Sequence, residues 1–248
     1  MKSLKKFTIL SFLSVAFFGC EDKPVNNNNT SIVFKTQFEL FNKEIEYNKY
    51  LKFIGDDSIL INQVSMLVSE PTITTSGGPI YNNGIFYVKK TSPLIVLSGI
   101  DISKSTIASV DFLVGLNKTN NKIDPTDNEA NAVLKTAGQD GMYWPGWTSY
   151  RFFVLECKIK KSDNSITNIT YHIGGDNYLI KKNLNLASIS FTAGKENIIP
   201  LRIHIDKIFS NPQGASLNYH TENTTHSEAN QDAITKKLVT NIGGAITL

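Results

Sequence analysis

The chain has 248 residues and carries 25 Lys and Arg side chains against 22 Asp and Glu side chains. Three of those lysines (Lys2, Lys5 and Lys6) lie in the first 19 residues, so the rest of the chain is balanced at 22 basic and 22 acidic side chains. This balance argues against a nucleic-acid-binding protein, which would carry a basic excess on one face.

The N-terminus has the features of an export signal. The three lysines precede an apolar run, residues 7–18, that is too short to cross a bilayer as a mature helix. The run ends at Gly19-Cys20, which is typical of the cleavage and lipidation site of a bacterial lipoprotein; an ordinary secretory signal is the alternative. We predict a signal peptide over residues 1–19 and a lipid anchor on Cys20, with the protein at the outer membrane facing the periplasm or the cell surface.

The segment after Cys20 is polar and rich in asparagine, and it offers little to pack. We predict a flexible tether over residues 20–30, followed by one domain over residues 31–248. A single β domain of this size is common.

The domain opens with an alternating pattern, in which Ile32, Phe34, Phe38 and Leu40 fall on alternate positions and Lys35, Gln37 and Glu39 lie between them. Such a period of two predicts a half-buried strand. Nine more short segments are rich in β-branched and aromatic residues and are divided by Gly, Asn, Asp, Ser and Pro. These segments are 44–53, 58–69, 84–89, 93–99, 107–116, 150–160, 166–173, 184–191 and 198–206. Because no long helices connect them, we predict an all-β fold, an antiparallel β-sandwich of about ten strands.

Two segments depart from the strand pattern. Residues 117–141 form a long polar stretch, predicted to be a solvated loop, with a calcium site built from its carboxylates and amides as the alternative. Near the C-terminus, Ser227 is predicted to cap a short helix with an apolar stripe, and Gly243-Gly244 to end it. The stripe consists of Ala229, Ala233, Ile234, Leu238 and Ile242.

Aromatic residues concentrate in residues 141–156. Both tryptophans of the chain, Trp144 and Trp147, flank the turn-forming pair Pro145-Gly146. Aromatic burial is geometrically demanding, so a cluster of this kind organises either a corner of the core or a binding site.

The chain has four histidines, His172, His204, His220 and His226. Strand alternation places His172 and His204 on the face opposite their apolar neighbours, so neither is predicted to lie in the core; simple exposure to solvent is the alternative. His220 and His226 flank a polar stretch ahead of the C-terminal helix and could supply further imidazoles.

Cys157 has no disulfide partner if Cys20 is acylated. It is predicted to be a buried free thiol, with a ligand for a soft metal as the alternative. No nucleophile elbow, His-Glu-x-x-His helix, Cys-x-x-Cys pair or phosphate-binding glycine loop is present in the sequence. We therefore expect a protein that is not an enzyme.

Two motifs resemble the signature of the MbnP-like copper-binding family, periplasmic and surface proteins associated with methanobactin. They are Gly141-Met142-Tyr143-Trp144, continued by the aromatic strand to Glu156, and Tyr171-His172-Ile173-Gly174-Gly175. Two positions depart from the family pattern: Gly146 stands where a second tryptophan is expected, with Trp147 one place further on, and Cys157 replaces a glycine.

The resemblance implies a β-sandwich lipoprotein that binds copper at a mononuclear site, for copper acquisition or handling. It assigns His172 as one ligand and His220 or His226 as the second, with His204 a weaker candidate. It also implies that one of the two tryptophans is oxidised to kynurenine by a di-haem peroxidase-like partner and then ligates the ion. Trp144 is the candidate because it keeps register with the motif, and the alternative is that Trp144 and Trp147 both remain intact as packing. The competing hypothesis is a structural or glycan-binding surface lipoprotein, in which the tryptophans pack a corner or stack on sugars.

Overall fold

The computed structural model describes residues 30–102, 105–211, 216–227 and 232–248. The predicted signal peptide, Cys20 and all of the predicted tether except Thr30 lie outside these residues. Within the described ranges, no helix is both long enough and apolar enough to pass through a membrane.

Strands and helices follow one another as β1 (Thr30–Leu40), β2 (Lys43–Glu44), β3 (Tyr50–Lys52), β4 (Ser58–Thr75), β5 (Gly78–Tyr81), β6 (Ile85–Lys89), β7 (Leu94–Ile100), β8 (Ile107–Val114), α1 (Ala132–Gln139), β9 (Tyr143–Trp144), β10 (Ser149–Lys160), β11 (Ile166–Gly174), β12 (Ile180–Asn185), β13 (Glu196–His204), α2 (Ile205–Phe209), β14 (Thr224–His226), α3 (Asp232–Ala245) and β15 (Ile246–Thr247). Single 3-10 turns lie at Asn120–Lys122 and Asp176–Tyr178.

The strands form two sheets in a sandwich-like arrangement, so the predicted all-β sandwich is confirmed. The smaller sheet has the order β15-β13-β1-β2, with β7 also on β1. The larger one has the order β12-β8-β4-β10-β11-β14, with β3, β5 and β6 also on β4 and β9 on β10. The sheets are mixed, however, because β1 pairs parallel with β13 and β11 parallel with β14. Antiparallel pairing throughout was too narrow a prediction, since these partners are far apart in sequence and not joined by hairpins.

The main core lies between the two sheets. Phe34 and Phe38 of β1 and Phe153 and Leu155 of β10 are at most 4% exposed and belong to one apolar cluster. This follows from alternation, because every second side chain of a strand points to the same face.

A second apolar layer covers part of the outer face of the larger sheet. Met142, Tyr150, Phe152 and Val154 are fully buried there, and Leu134 of α1 packs with them. The prediction that residues 117–141 form a solvated loop was therefore wrong for the part that forms α1. Asn131 caps α1 through a hydrogen bond from the Leu134 N–H to its side-chain oxygen, at 2.9 Å. This second layer makes strands of the larger sheet apolar on both faces.

Several predicted strands have different bounds. Segment 44–53 contains two short strands separated by a turn in which Asn48 has φ 59°. Of the strand predicted over residues 184–191, only the first two residues are strand, at the end of β12. The strand ends there because the Asn185 side chain accepts a hydrogen bond from the Ala187 N–H and turns the chain. Segment 198–206 ends as strand at His204, where α2 begins.

The predicted C-terminal helix is present, and its C-terminal end differs from the prediction. Helix α3 is described from Asp232 onwards, and the start predicted at Ser227, together with Ala229, concerns residues 228–231, which lie outside the described residues. The helix also continues through Gly243 and Gly244 to Ala245. Leu238, Ile242 and Ala245 are fully buried, and this packing offsets the low helix propensity of the glycines.

Candidate metal centre

The tryptophan motif, Gly141–Trp144, leads into the hairpin that joins β9 to β10. This hairpin, which contains both tryptophans, is called the tryptophan hairpin. The Trp147 N–H donates to the Trp144 carbonyl at 3.0 Å, which closes a turn with Pro145 and Gly146 at its centre. The two indole rings stack, with centroids 5.0 Å apart and planes inclined by 11°. Trp147 thus occupies the last position of the four-residue turn that begins at Trp144.

His172 and His226 lie side by side on the outer face of the larger sheet. They are opposite each other in the parallel pairing of β11 and β14, and their Nδ1 atoms are 3.1 Å apart. The hairpin brings Trp144 against both imidazoles, with ring centroids 5.8 Å from His172 and 5.1 Å from His226. The two sequence motifs and a residue 54 positions after His172 therefore meet in one cluster, which we call the His–Trp cluster (Trp144, His172 and His226).

His172 is oriented by a carboxylate. Its Nε2 lies 2.8 Å from Glu156 Oε1, where an N–H donates to the carboxylate and leaves Nδ1 with its lone pair. Burial lowers the pKa of His172 to about 4, with Arg151 acting in the same direction and the Glu156 hydrogen bond opposing it. His172 is consequently neutral near pH 7, the form in which imidazole binds metals.

His172 faces away from the main core, as strand alternation predicts, but it is not solvent-facing. It is 5% exposed, because the second layer and β14 cover the outer face at this point. His204 is also buried, at 4% exposure, next to Glu39 and with Nε2 3.0 Å from the Thr247 hydroxyl. The solvent-exposed alternative for these two histidines was wrong, since alternation specifies a face and does not specify what covers it.

Close backbone packing explains the glycine that follows His172. A Cβ on Gly174 would lie 2.6 Å from the Tyr150 carbonyl oxygen and 3.0 Å from a ring carbon of Trp147. Only glycine therefore lets the tryptophan hairpin approach the end of β11. The Ser227 hydroxyl donates to the Gly174 carbonyl and accepts from its N–H, at 2.9 and 2.8 Å, which fastens the residue after His226 to β11.

Arg151 and Glu156 also contact the cluster and were not among the candidate residues. Arg151 Nη1 lies 3.1 Å from His172 Nδ1, and its guanidinium carbon is 5.2 Å from the centre of the Trp144 ring. These are the charged residues of an otherwise aromatic and apolar run, a signal the sequence contains. Their approach to His172 depends on the register of β10 against β11, which the sequence does not show.

His220 and Cys157 lie apart from the His–Trp cluster. His220 packs on the Tyr219 ring, with centroids 4.4 Å apart, and its Nε2 is 3.4 Å from Asp57. Cys157 is a free thiol in the main core, on the face of β10 opposite to His172. Burial raises the pKa of that thiol well above its usual range. The prediction of a buried free thiol is confirmed, and Cys157 is not part of the His–Trp cluster.

Two of the carboxylates in residues 117–141 have protein partners. Asp124 accepts hydrogen bonds from the N–H and hydroxyl of Thr126, at 2.8 and 2.6 Å, and Asp140 pairs with Lys89. Across the part of the chain that the structure describes, no group of three or more His, Cys, Asp or Glu side chains is arranged to hold a metal ion. Any metal at the His–Trp cluster would thus depend on two histidines and a ligand of another kind.

The fold and the cluster define an all-β protein with paired histidines against a tryptophan hairpin on the outside of a sandwich. The chain belongs to the MbnP family, whose model matches residues 27–230 and so includes Trp144, His172 and His226. Among solved structures, the chain is similar to MbnP from Methylosinus trichosporium, at 13% sequence identity and a TM-score of 0.45. That likeness covers 73% of this chain and 78% of the other. No curated protein matches the sequence.

Proposed function

We propose that this protein is a copper-binding protein, not an enzyme, that holds one ion at the His–Trp cluster for copper acquisition or handling. The observation that carries the proposal is the 3.1 Å approach of His172 Nδ1 to His226 Nδ1 beside Trp144. Membership of the MbnP family, and the resemblance of the motifs around these residues to its copper-binding signature, support copper as the metal.

The residues present fit copper chemically. Two imidazole nitrogens in a largely buried, aromatic pocket suit a copper ion of low coordination number, above all Cu(I). The Glu156–His172 contact is the usual arrangement in which a carboxylate orients a ligating histidine and increases its basicity. His172 and His226 would hold the ion, and a modified Trp144 would supply the third ligand.

The environment of Trp144 favours this function over a sugar-binding surface. The ring is half-buried and contacts Trp147, Arg151 and both histidines. A stacking platform for glycans needs an open aromatic face. Trp144 is instead an internal wall of the histidine pair.

Copper titration of the metal-free protein tests the proposal. We expect His172→Ala and His226→Ala each to weaken copper binding by well over an order of magnitude, since each removes one of two imidazoles. His220→Ala is the matched control, because His220 lies beside Asp57 and Tyr219. Equal weakening in all three variants, or none in the first two, would contradict the assignment.

We further propose export and lipid attachment at Cys20, based on the basic N-terminus and the Gly19-Cys20 pair. The anchor would hold the domain at the outer membrane, on its periplasmic or outer side. Mass spectrometry of the membrane fraction is expected to find acylated Cys20 as the first residue. A mature chain that begins elsewhere and is released from membranes would refute this part.

A modifying partner is the last part of the proposal. The family resemblance implies a di-haem peroxidase-like protein that oxidises Trp144, and the contact of Trp144 with both histidines is consistent with a ligand at that position. Peptide mapping of protein purified from its own host is the test. Unmodified Trp144 in protein that nonetheless contains copper would exclude the oxidation, whereas protein from a foreign host lacks the partner.

A further inference from the structure

The guanidinium of Arg151 lies close enough to the His–Trp cluster to repel any cation bound there. Its Nη1 is 3.1 Å from Nδ1 and 3.3 Å from Nε2 of His172, and its Cζ is 5.2 Å from the Trp144 ring centre. A Cβ on Gly141 would approach its Nη2 to 3.1 Å, so the backbone of the tryptophan motif also lies against it. Arg151 is thereby fixed beside the histidine pair.

Arg151 is kept in this position at an energetic cost. Its Nε–H is buried and has no acceptor among the described residues. A buried donor without a partner costs about 1–3 kcal/mol, and the guanidinium stays charged even where burial disfavours the charge. Packing alone would be served better by an apolar side chain, which points to a use for the positive charge.

Glu156, the negative charge in contact with His172, meets the imidazole at Nε2 and not at Nδ1. Glu156 contacts Nε2, whereas Arg151 Nη1 lies close to both ring nitrogens, including Nδ1, the atom that faces His226. Lys89 and Asp140, further along the same outer face, pair with each other. Of the two charged side chains that contact His172, Arg151 is thus the one in contact with Nδ1.

We propose that Arg151 makes the His–Trp cluster select monovalent over divalent metal ions; this rests on the proposed metal-binding function. Coulomb repulsion grows in proportion to the charge of the ion, so a fixed positive charge penalises Zn²⁺ or Cu²⁺ twice as strongly as Cu⁺ or Ag⁺. Imidazole pairs bind Zn²⁺ and Cu²⁺ well in general. Arg151 therefore supplies the discrimination that the histidines lack.

The test compares Cu(I) and Zn(II) affinities of the full-length metal-free protein, measured by competition with chromogenic chelators, with Ag(I) as an air-stable check on the Cu(I) values. Removing the charge in Arg151→Met and Arg151→Gln is expected to raise Zn(II) affinity by about ten-fold or more relative to Cu(I) affinity, because a unit charge a few ångströms away is felt strongly in a partly buried site. Arg151→Lys keeps the charge and is expected to keep the wild-type ratio. Glu156→Gln retains a hydrogen-bond acceptor for His172 and loses a negative charge, so its ratio should shift the opposite way.

The outcomes separate two failures. If the wild-type protein binds neither Cu(I) nor Ag(I), the proposed function itself is wrong. If it binds Cu(I) and the two neutral variants retain the wild-type ratio, the role of Arg151 is refuted. A ratio lost equally in Arg151→Lys would show that shape, not charge, sets the preference, and would also refute it. Tryptophan near-ultraviolet circular dichroism checks that each variant keeps the stacked hairpin.

Discussion

Burial of His172 couples the ionisation of one side chain to the stability of the whole domain. Its pKa is lowered from 6.5 to about 4, chiefly by burial, so the folded protein binds a proton less readily than the unfolded chain does. The stabilising effect of a neutral His172 is therefore complete above pH 6.5 and is lost as the pH falls towards 4.

We expect the free energy of unfolding, measured by urea denaturation, to fall over this range in the wild-type protein. His172→Gln lacks the titrating group, so its own decline between pH 6.5 and 4 should be smaller. His204, whose pKa burial also lowers, is present in both proteins and cancels in the comparison. Identical pH dependence in the two proteins would mean that His172 is protonated as easily when folded as when unfolded.

Cys157 provides a second prediction at the residue scale. The reactive form of a thiol is the thiolate, and burial in the main core disfavours it. In a chain carrying Cys20→Ser, iodoacetamide is expected to leave the folded protein unmodified and to label Cys157 only in denaturant. Rapid labelling of the native protein would show that the core opens at β10.

Two substitutions of Cys157 separate the effect of side-chain polarity on stability from the effect of packing. Cys157→Ser buries a hydroxyl in apolar surroundings and is expected to cost about 1–3 kcal/mol of stability. Cys157→Val keeps the site apolar and should remain within about 1.5 kcal/mol of the wild type. Copper affinity should be unchanged in both, since Cys157 faces away from His172.

At the scale of elements, β14 is the short strand that positions one histidine of the site. It has three residues and carries His226, and the Ser227 hydroxyl that follows makes two buried hydrogen bonds to Gly174 of β11. Ser227→Ala removes both bonds. We expect a loss of about 1–3 kcal/mol in stability, together with weaker copper binding, because His226 is no longer held in register with His172.

Thr240→Ala is the control for that variant. The Thr240 hydroxyl is exposed on α3 and donates to the Lys236 carbonyl, so its removal should change stability by no more than about 0.5 kcal/mol. Denaturant midpoints and copper titrations of the two variants are the measurements. Unaltered copper affinity in Ser227→Ala would show that β14 is positioned by other contacts.

The strands and helices also differ in how well the sequence predicted their positions. β10 and β11 lie within one residue of their predicted bounds. Long strands are easier to predict because they contain many positions that follow the period of two. β9 and β14 have two and three residues, too few for any periodicity, and they were missed. Helix α1 was missed because the polar residues around it mask a short apolar face formed by Leu134 and Ala137.

For the whole molecule, a bound ion should raise the stability of the fold. His172 and His226 come from different strands that the unfolded chain does not bring together, so an ion held as proposed would bind the native state preferentially. A free copper concentration 1,000 times Kd would add about 4 kcal/mol, which corresponds to roughly 8–16 °C in Tm for a domain of this size. Scanning calorimetry with and without Cu(I) is the measurement, and His172→Ala should show little or no shift.

The sequence by itself determined the all-β class, most of the longer strands, the buried state of Cys157 and the two motifs that meet at the site. These properties are local: a period of two, an aromatic cluster at a Pro-Gly turn and a glycine pair after a histidine can be recognised without knowing which strands pair. The choice of His226 over His220 as the neighbour of His172 was decided by the tertiary structure. So were the parallel pairings, the burial of His172, and the approach of Arg151 and Glu156. Each depends on strand register between segments far apart in the chain, and a shift of one residue would turn every side chain of a strand to the opposite face.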